Sequence, residues 1–174
     1  MQYFRINQDT DYLNAPVISD IIQQIDRRHT TREQAHNIAE ITIFQLVSKE
    51  EDDFIDLLSR QLFLVSEPLK EAIRLYIPKL TFKMVILANH VQKQQRTYYL
   101  PIFEPIDCLS DKSIMTPDKS VIKKLVLKPS LMEKHSLFRV QHSYETIIIA
   151  RLDAAESILR RNFRGIKLDR IELE

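Results

Sequence analysis

Residues 62–87, LFLVSEPLKEAIRLYIPKLTFKMVIL, decide the fold class. Leu62-Phe63-Leu64-Val65 is an apolar run of strand length. Ser66 follows with a side chain that caps a helix N-terminus, and Pro68 lies within the first turn, where N–H groups have no intrahelical partner. Leu69, Ala72, Ile73, Tyr76 and Ile77 recur at i, i+3, i+4, i+7 and i+8, which makes one helix face apolar. Pro78 ends the helix, and Phe82 to Leu87 reads as a second strand. The stretch predicts a strand–helix–strand unit with its helix laid on a sheet.

The C-terminal end has the same plan. Thr146 to Ala150 is apolar and β-branched, as strands prefer. Asp153 marks the start of a helix, and Leu152, Ala155, Ile158 and Leu159 are expected to face inward. Gly165, the single glycine, supplies the positive φ that closes such a segment. Ile166 to Leu173 alternates apolar and charged residues as a strand. Ser66 and Arg151 stand at the two strand-to-helix junctions, 85 residues apart.

Between the units the chain is rich in strand patterns. Tyr98 to Phe103 and Ile106 to Leu109 are extended, and Pro101 and Pro105 direct them to edges or bends. Val121 to Leu127 and Leu137 to Val140 are further strands, and Asp111 to Ser120, with Pro117, reads as a surface loop. Upstream, Leu13-Asn14-Ala15-Pro16 leads into a predicted N-terminal helix striped by Ile18, Ile21, Ile22 and Ile25, with Arg27, Arg28 and His29 at its negative end. Ile41 to Val47 is a strand. Glu50 to Asp53 is expected to open a short helix carrying Phe54, Leu57 and Leu58. The expected architecture is α+β: a mixed, mostly antiparallel sheet, two strand–helix–strand units and an N-terminal helix. One domain is expected over 1–174, helical over about 1–60 and sheet-rich over about 61–174.

Composition narrows the function. The chain has 174 residues, 44% hydrophobic and 28% charged, which are globular values. Its one cysteine, Cys108, has no internal disulfide partner. The polar N-terminus lacks a signal-peptide core, and no apolar run reaches membrane-spanning length. A cytoplasmic location without membrane contact is therefore expected. A single glycine excludes glycine-rich phosphate loops and the Gly-flanked serine elbow. No cofactor is expected.

The side chains that carry chemistry are dispersed. His29, His36, His90, His135 and His142 form no metal-ligand spacing, so no metal is expected. Cys108 lies between Ile106 and Leu109 and reads as a structural thiol rather than an activated nucleophile. Lys112, Lys119, Lys123, Lys124, Lys128 and Lys134 make a basic segment, but without arginine or aromatics, so nucleic acid is not an expected partner. Glu50, Glu51, Asp52, Asp53 and Asp56 are clustered. On consecutive positions they make a poor cation cage, which leaves a solvated helix start or a charged contact surface. Residues 1–60 hold six Lys/Arg against eleven Asp/Glu, a balance of −5, while the remainder carries +6. The acidic cluster is accordingly the candidate partner-binding surface.

Several segments resemble one known family. Tyr98-Tyr99-Leu100 followed by Ile106-Asp107-Cys108-Leu109-Ser110-Asp111-Lys112-Ser113 resembles the core of an immunity-protein family of bacterial polymorphic-toxin systems, the eleventh in that naming, first catalogued as a domain of unknown function. Lys124-Leu125-Val126-Leu127, Leu137-Phe138-Arg139-Val140, Ile147-Ile148-Ile149 and Phe163-Arg164-Gly165-Ile166-Lys167-Leu168 are similar to it too, as is Phe63-Leu64-Val65-Ser66-Glu67. The resemblance covers roughly 60–172, with Pro101, Ser110 and Arg151 departing from the pattern. It implies a bacterial, cytoplasmic protein that binds and neutralises a co-encoded toxin and carries no catalytic residues. The alternative is an enzyme or regulatory module whose site is assembled only in space, or a subunit of a larger complex.

Overall fold

In the computed structural model, which describes residues 1–20, 24–47 and 49–174, Ser66 caps a helix as its position requires. Its backbone is extended and its Oγ accepts the N–H of Leu69 at 3.4 Å. The chain runs through β1 (Tyr3–Gln8), β2 (Ile41–Gln45), β3 (Leu57–Leu58), β4 (Leu64–Val65), α1 (Glu67–Arg74), β5 (Phe82–Asn89) and β6 (Gln94–Pro101). It continues through β7 (Pro105–Ile106), β8 (Ile114–Met115), β9 (Ile122–Lys124) and β10 (Val126–Leu127). The last part holds β11 (Leu137–Val140), β12 (Ile148–Arg151), α2 (Leu152–Leu159), β13 (Ile166–Arg170) and β14 (Glu172–Leu173).

Two five-stranded sheets organise these elements, in the orders β2-β5-β6-β4-β3 and β13-β1-β12-β11-β7. The class is α+β with mixed, mostly antiparallel pairing. In the first sheet β4 and β5 both pair antiparallel with β6, which lies between them. In the second, β12 and β13 both pair antiparallel with β1. Each strand–helix–strand unit is therefore split by one inserted antiparallel strand. The inserted strand follows its unit directly in one case and comes from the chain's beginning in the other.

Both helices lie between the sheets. Leu57, Val65, Leu69 and Ile73 of the first sheet and its helix share an apolar cluster with Ile6, Ile148, Ala150, Ala154 and Ile158 of the second sheet and its helix. The Tyr76 hydroxyl donates to the Asp153 carbonyl at 3.0 Å. A second cluster fills the other face of the first sheet, where Ala15, Ile18, Ile25 and Ile38 cover Phe44, Val85, Leu87 and Leu100. A third fills the other face of the second sheet, where Cys108, Ile122, Leu127 and Met132 cover Tyr3, Phe138 and Ile149.

Five expectations need correction. The N-terminal helix is absent from the described residues. Ile18 bridges Leu46 as extended chain, and only a 3₁₀ turn forms, at Arg27–His29, with Asp26 as its cap; Ile21 and Ile22 lie outside the described residues. Isoleucines lose rotamer freedom in a helix, and the extended path still buries Ile18 and Ile25. The helix after Glu50 is likewise absent: Leu57 and Leu58 are β3, paired with Val65 and Leu64. The described residues of 1–60 carry β1, β2 and β3 and no α-helix, so the expected helical part is not found among them. In α2, Ala154, Ala155 and Ile158 are buried, whereas Leu159 is 57% exposed and Leu152 lies at the margin. Alanines let that helix approach the sheet closely. Within the expected 111–120 loop, Ile114–Met115 forms a small pair with β9.

Candidate functional site

A cleft of about 390 Å³ opens where the two sheets meet. One wall is built from the pleat of β1 and β13. Arg5 pairs with Asp169 and Asn7 with Lys167, so alternate residues of two neighbouring strands share a face. The other wall is the turn between β3 and β4, with Ser59, Arg60 and Gln61, together with Arg27 from the 3₁₀ turn. Leu62 and Phe63 also line it, both nearly inaccessible to solvent. Gln8 and Ser59 hold the walls together: each backbone N–H donates to the other's side chain at 2.9 Å.

A smaller cavity shares Arg27, Leu62, Phe63 and Thr146 with the cleft and reaches Arg139. The Arg139 guanidinium donates to the hydroxyl of buried Thr30 at 2.6 Å and has no carboxylate partner among the described residues. Burial, and secondarily the charge of Arg27, hold its pKa below the ordinary arginine value. Arg27 donates to the Gln61 carbonyl, and Arg60 has neither an ion pair nor a side-chain hydrogen bond among the described residues. The two carboxylates of the cleft are both engaged. Glu145 meets Arg5 at 3.4 Å; Asp169 accepts from Asn7 at 2.7 Å and lies 3.6 Å from Lys167. The cleft thus carries a surplus of guanidinium charge, suited to a planar anion.

The acidic run divides in two. Glu50 and Glu51 are exposed. Asp52 accepts from the Asn89 side chain, Asp53 pairs with Arg164 at 2.6 Å, and Asp56 accepts the Ser66 hydroxyl at 2.5 Å and the Arg164 N–H at 2.7 Å. Three of the five candidate residues therefore hold chain crossings. In the basic segment Lys112, Lys124 and Lys128 face Glu174, Glu172 and Asp111 at 3.8, 2.9 and 3.3 Å.

Cys108 is inaccessible, and burial, aided by the charge of Asp107, pushes its thiol up to about 11, the opposite of activation. His142 lies 3.7 Å from Asp107 and His135 lies 3.9 Å from Glu104, both towards the surface. No group of three His, Cys, Asp or Glu residues suited to a metal ion occurs among the described residues. No helix among them is long and apolar enough to cross a membrane.

Sequence reasoning passed over the cleft. Arg27 reads locally as a helix-dipole partner, and Arg60 carries no local signal. Arg139 carried the one legible signal, a guanidinium within the apolar strand Leu137-Phe138-Arg139-Val140, where alternation turns it away from Phe138 and Val140.

A family model described as the immunity protein family Imm11 matches residues 8–172, so the chain belongs to that family. The match extends well upstream of the resemblance read over 60–172: it begins at Gln8, the last residue of β1, and takes in the acidic run. No curated protein matches the sequence.

Proposed function

We propose that, as a member of the Imm11 immunity protein family, this protein acts by direct contact, binding a co-encoded toxin and blocking it without catalysis. The observation that carries the reading is the family match over residues 8–172. The chemistry is consistent with it. The sole thiol is buried with a raised pKa, and the cleft between the sheets is lined by arginines, of which Arg5 meets Glu145 and Arg27 the Gln61 carbonyl, rather than by an activated thiol. The exposed Glu50 and Glu51 are the members of the acidic run that contribute to the contact surface, steering a basic partner towards the complex. The cytoplasm is the expected site of action.

Co-expression tests the reading directly. The product of the adjacent gene is induced with and without this protein, and growth and co-purification are scored. Restored growth with a stable one-to-one complex is the expected result. Continued toxicity with no complex, both proteins being folded, would falsify it.

A further inference from the structure

We propose that the cleft between β1, β13 and the 59–61 turn is the seat for a carboxylate-bearing segment of the toxin, held by Arg27 and Arg60, with the charge of Arg139 behind them. This deepens the immunity reading and rests on it. Arg27 and Arg60 line the cleft, Arg139 lies behind them on an adjoining cavity of about 10 Å³, room for no more than a water, and none of the three has a carboxylate partner among the described residues. Clustered cations without counter-ions repel one another, and a half-buried one such as Arg139 has lost part of its hydration as well. An incoming carboxylate offsets both costs, and guanidinium matches it in a two-point geometry.

Size and charge select the occupant. About 390 Å³ takes one or two side chains of a docked segment, not a folded domain. Glu145 and Asp169 on the walls disfavour a dense polyanion such as a nucleic-acid backbone, since each phosphate added would meet a fixed negative charge. A segment bearing one or two Asp or Glu residues meets the arginines without that conflict. The neutral donors Asn7 and Thr146 lie on the same walls.

The test uses the toxin encoded by the adjacent gene, catalytically inactivated, and full-length protein carrying Arg60→Glu, or Arg27→Glu with Arg60→Glu. Arg60 has no side-chain partner among the described residues, so the single variant is expected to fold even if loss of the Arg27 bond to Gln61 impairs the double one. The expected result is binding weakened about tenfold or more by Arg60→Glu, with dissociation faster and melting unchanged. Unaltered affinity in a folded Arg60→Glu protein overturns the cleft while leaving the immunity reading in place. Absence of binding by the unmodified protein overturns both. Titration with inorganic phosphate supplies the last arm: saturable millimolar or tighter binding, abolished by Arg60→Glu and not displaced by the toxin, would make this a small-anion site and overturn the proposal.

Discussion

Asp56 and Arg164, 108 residues apart in sequence, exchange two hydrogen bonds: the Asp56 N–H donates to the Arg164 carbonyl at 2.9 Å, and the Arg164 N–H donates to the Asp56 carboxylate at 2.7 Å. The second carboxylate oxygen takes the Ser66 hydroxyl at 2.5 Å, so one side chain orients the cap of α1 and anchors the segment leading into β13. Replacing Asp56 with Ala leaves a hydroxyl and an amide without their acceptor. A loss of about 2–3 kcal/mol is expected, roughly 5–10 °C in melting temperature for a chain of this size. Glu51→Ala, on an exposed side chain, is expected to shift stability by less than about 0.5 kcal/mol. Thermal melting of the two variants side by side checks this; equal shifts would show that Asp56 is a surface acid like its neighbour.

Gly165 occupies φ +78°, and a Cβ built there would come within 2.5 Å of Ile55 Cδ1 and 2.7 Å of Ile55 Cβ. Gly165→Ala meets both a left-handed backbone and a core side chain that is 1% exposed. The expected cost is about 2–4 kcal/mol. Ile55→Ala removes the Cδ1 and Cγ1 contacts but not the Cβ contact, so it relieves the clash only in part. The double variant is expected to be more stable than the sum of the singles predicts, by about 1 kcal/mol. Urea unfolding of all four proteins reads the coupling, and strict additivity would refute the proposed contact.

Ile73 is 1% exposed between the sheets, and Leu75, two residues on, is 64% exposed. Ile73→Asp places an unpaired carboxylate in the cluster shared by both helices, with an expected loss of about 4 kcal/mol or more. Leu75→Asp is expected to be nearly neutral. If the two variants unfold at the same denaturant concentration, α1 does not pack as described.

That helix was legible because its information is local: a cap, a proline in the first turn and an unbroken stripe, all within twelve residues. The same holds for the strand at Leu137 to Val140. What was not legible depends on distant partners. Tyr3 to Gln8 reads as a polar chain end, yet β1 is inserted between β12 and β13, and its Arg5 and Asn7 are polar because they line the cleft. Leu57 and Leu58 fit a helix as well as a strand until Val65 and Leu64 are placed beside them. The arginines of the cleft and its adjoining cavity come from four separate segments, and no spacing along the chain connects them. For the acidic run, sequence supplied the cluster but not its division, since which carboxylate turns inward is decided by Asn89, Ser66 and Arg164.

Cys108 makes stability depend on alkaline pH. Its thiol rises from an ordinary 9.0 to about 11 in the folded state, chiefly through burial. A folded-state pKa above the unfolded one means that the unfolded chain releases its proton first. The contribution is therefore fully present below pH 9 and is lost as pH rises towards 11, by up to about 2–3 kcal/mol. Cys108→Ala removes this dependence, so the stability gap between the unmodified protein and the variant is expected to narrow over that window. Chemical denaturation at pH 8 and pH 10.5 measures it; a constant gap would show that the thiol ionises freely in the fold.

Glu50 and Glu51 are the exposed members of the acidic run, and the division of the run dictates how their proposed contact with a partner is tested. A reversal that included Asp53 would break its 2.6 Å pair with Arg164 and mix folding with binding. Glu50→Lys with Glu51→Lys changes the local charge by four units and leaves Asp52, Asp53 and Asp56 in their structural bonds. If the partner's facing surface is basic, long-range attraction contributes to the association rate more than to the lifetime of the complex. At low salt the double variant is expected to associate with the toxin about five- to tenfold more slowly, with dissociation little changed. Near 0.5 M salt, where screening acts within a few ångströms, the two proteins are expected to converge. Stopped-flow association across a salt series measures both effects. Equal rates at the lowest salt, in a protein that still melts normally, would remove Glu50 and Glu51 from the contact surface and leave recognition to the arginine cleft.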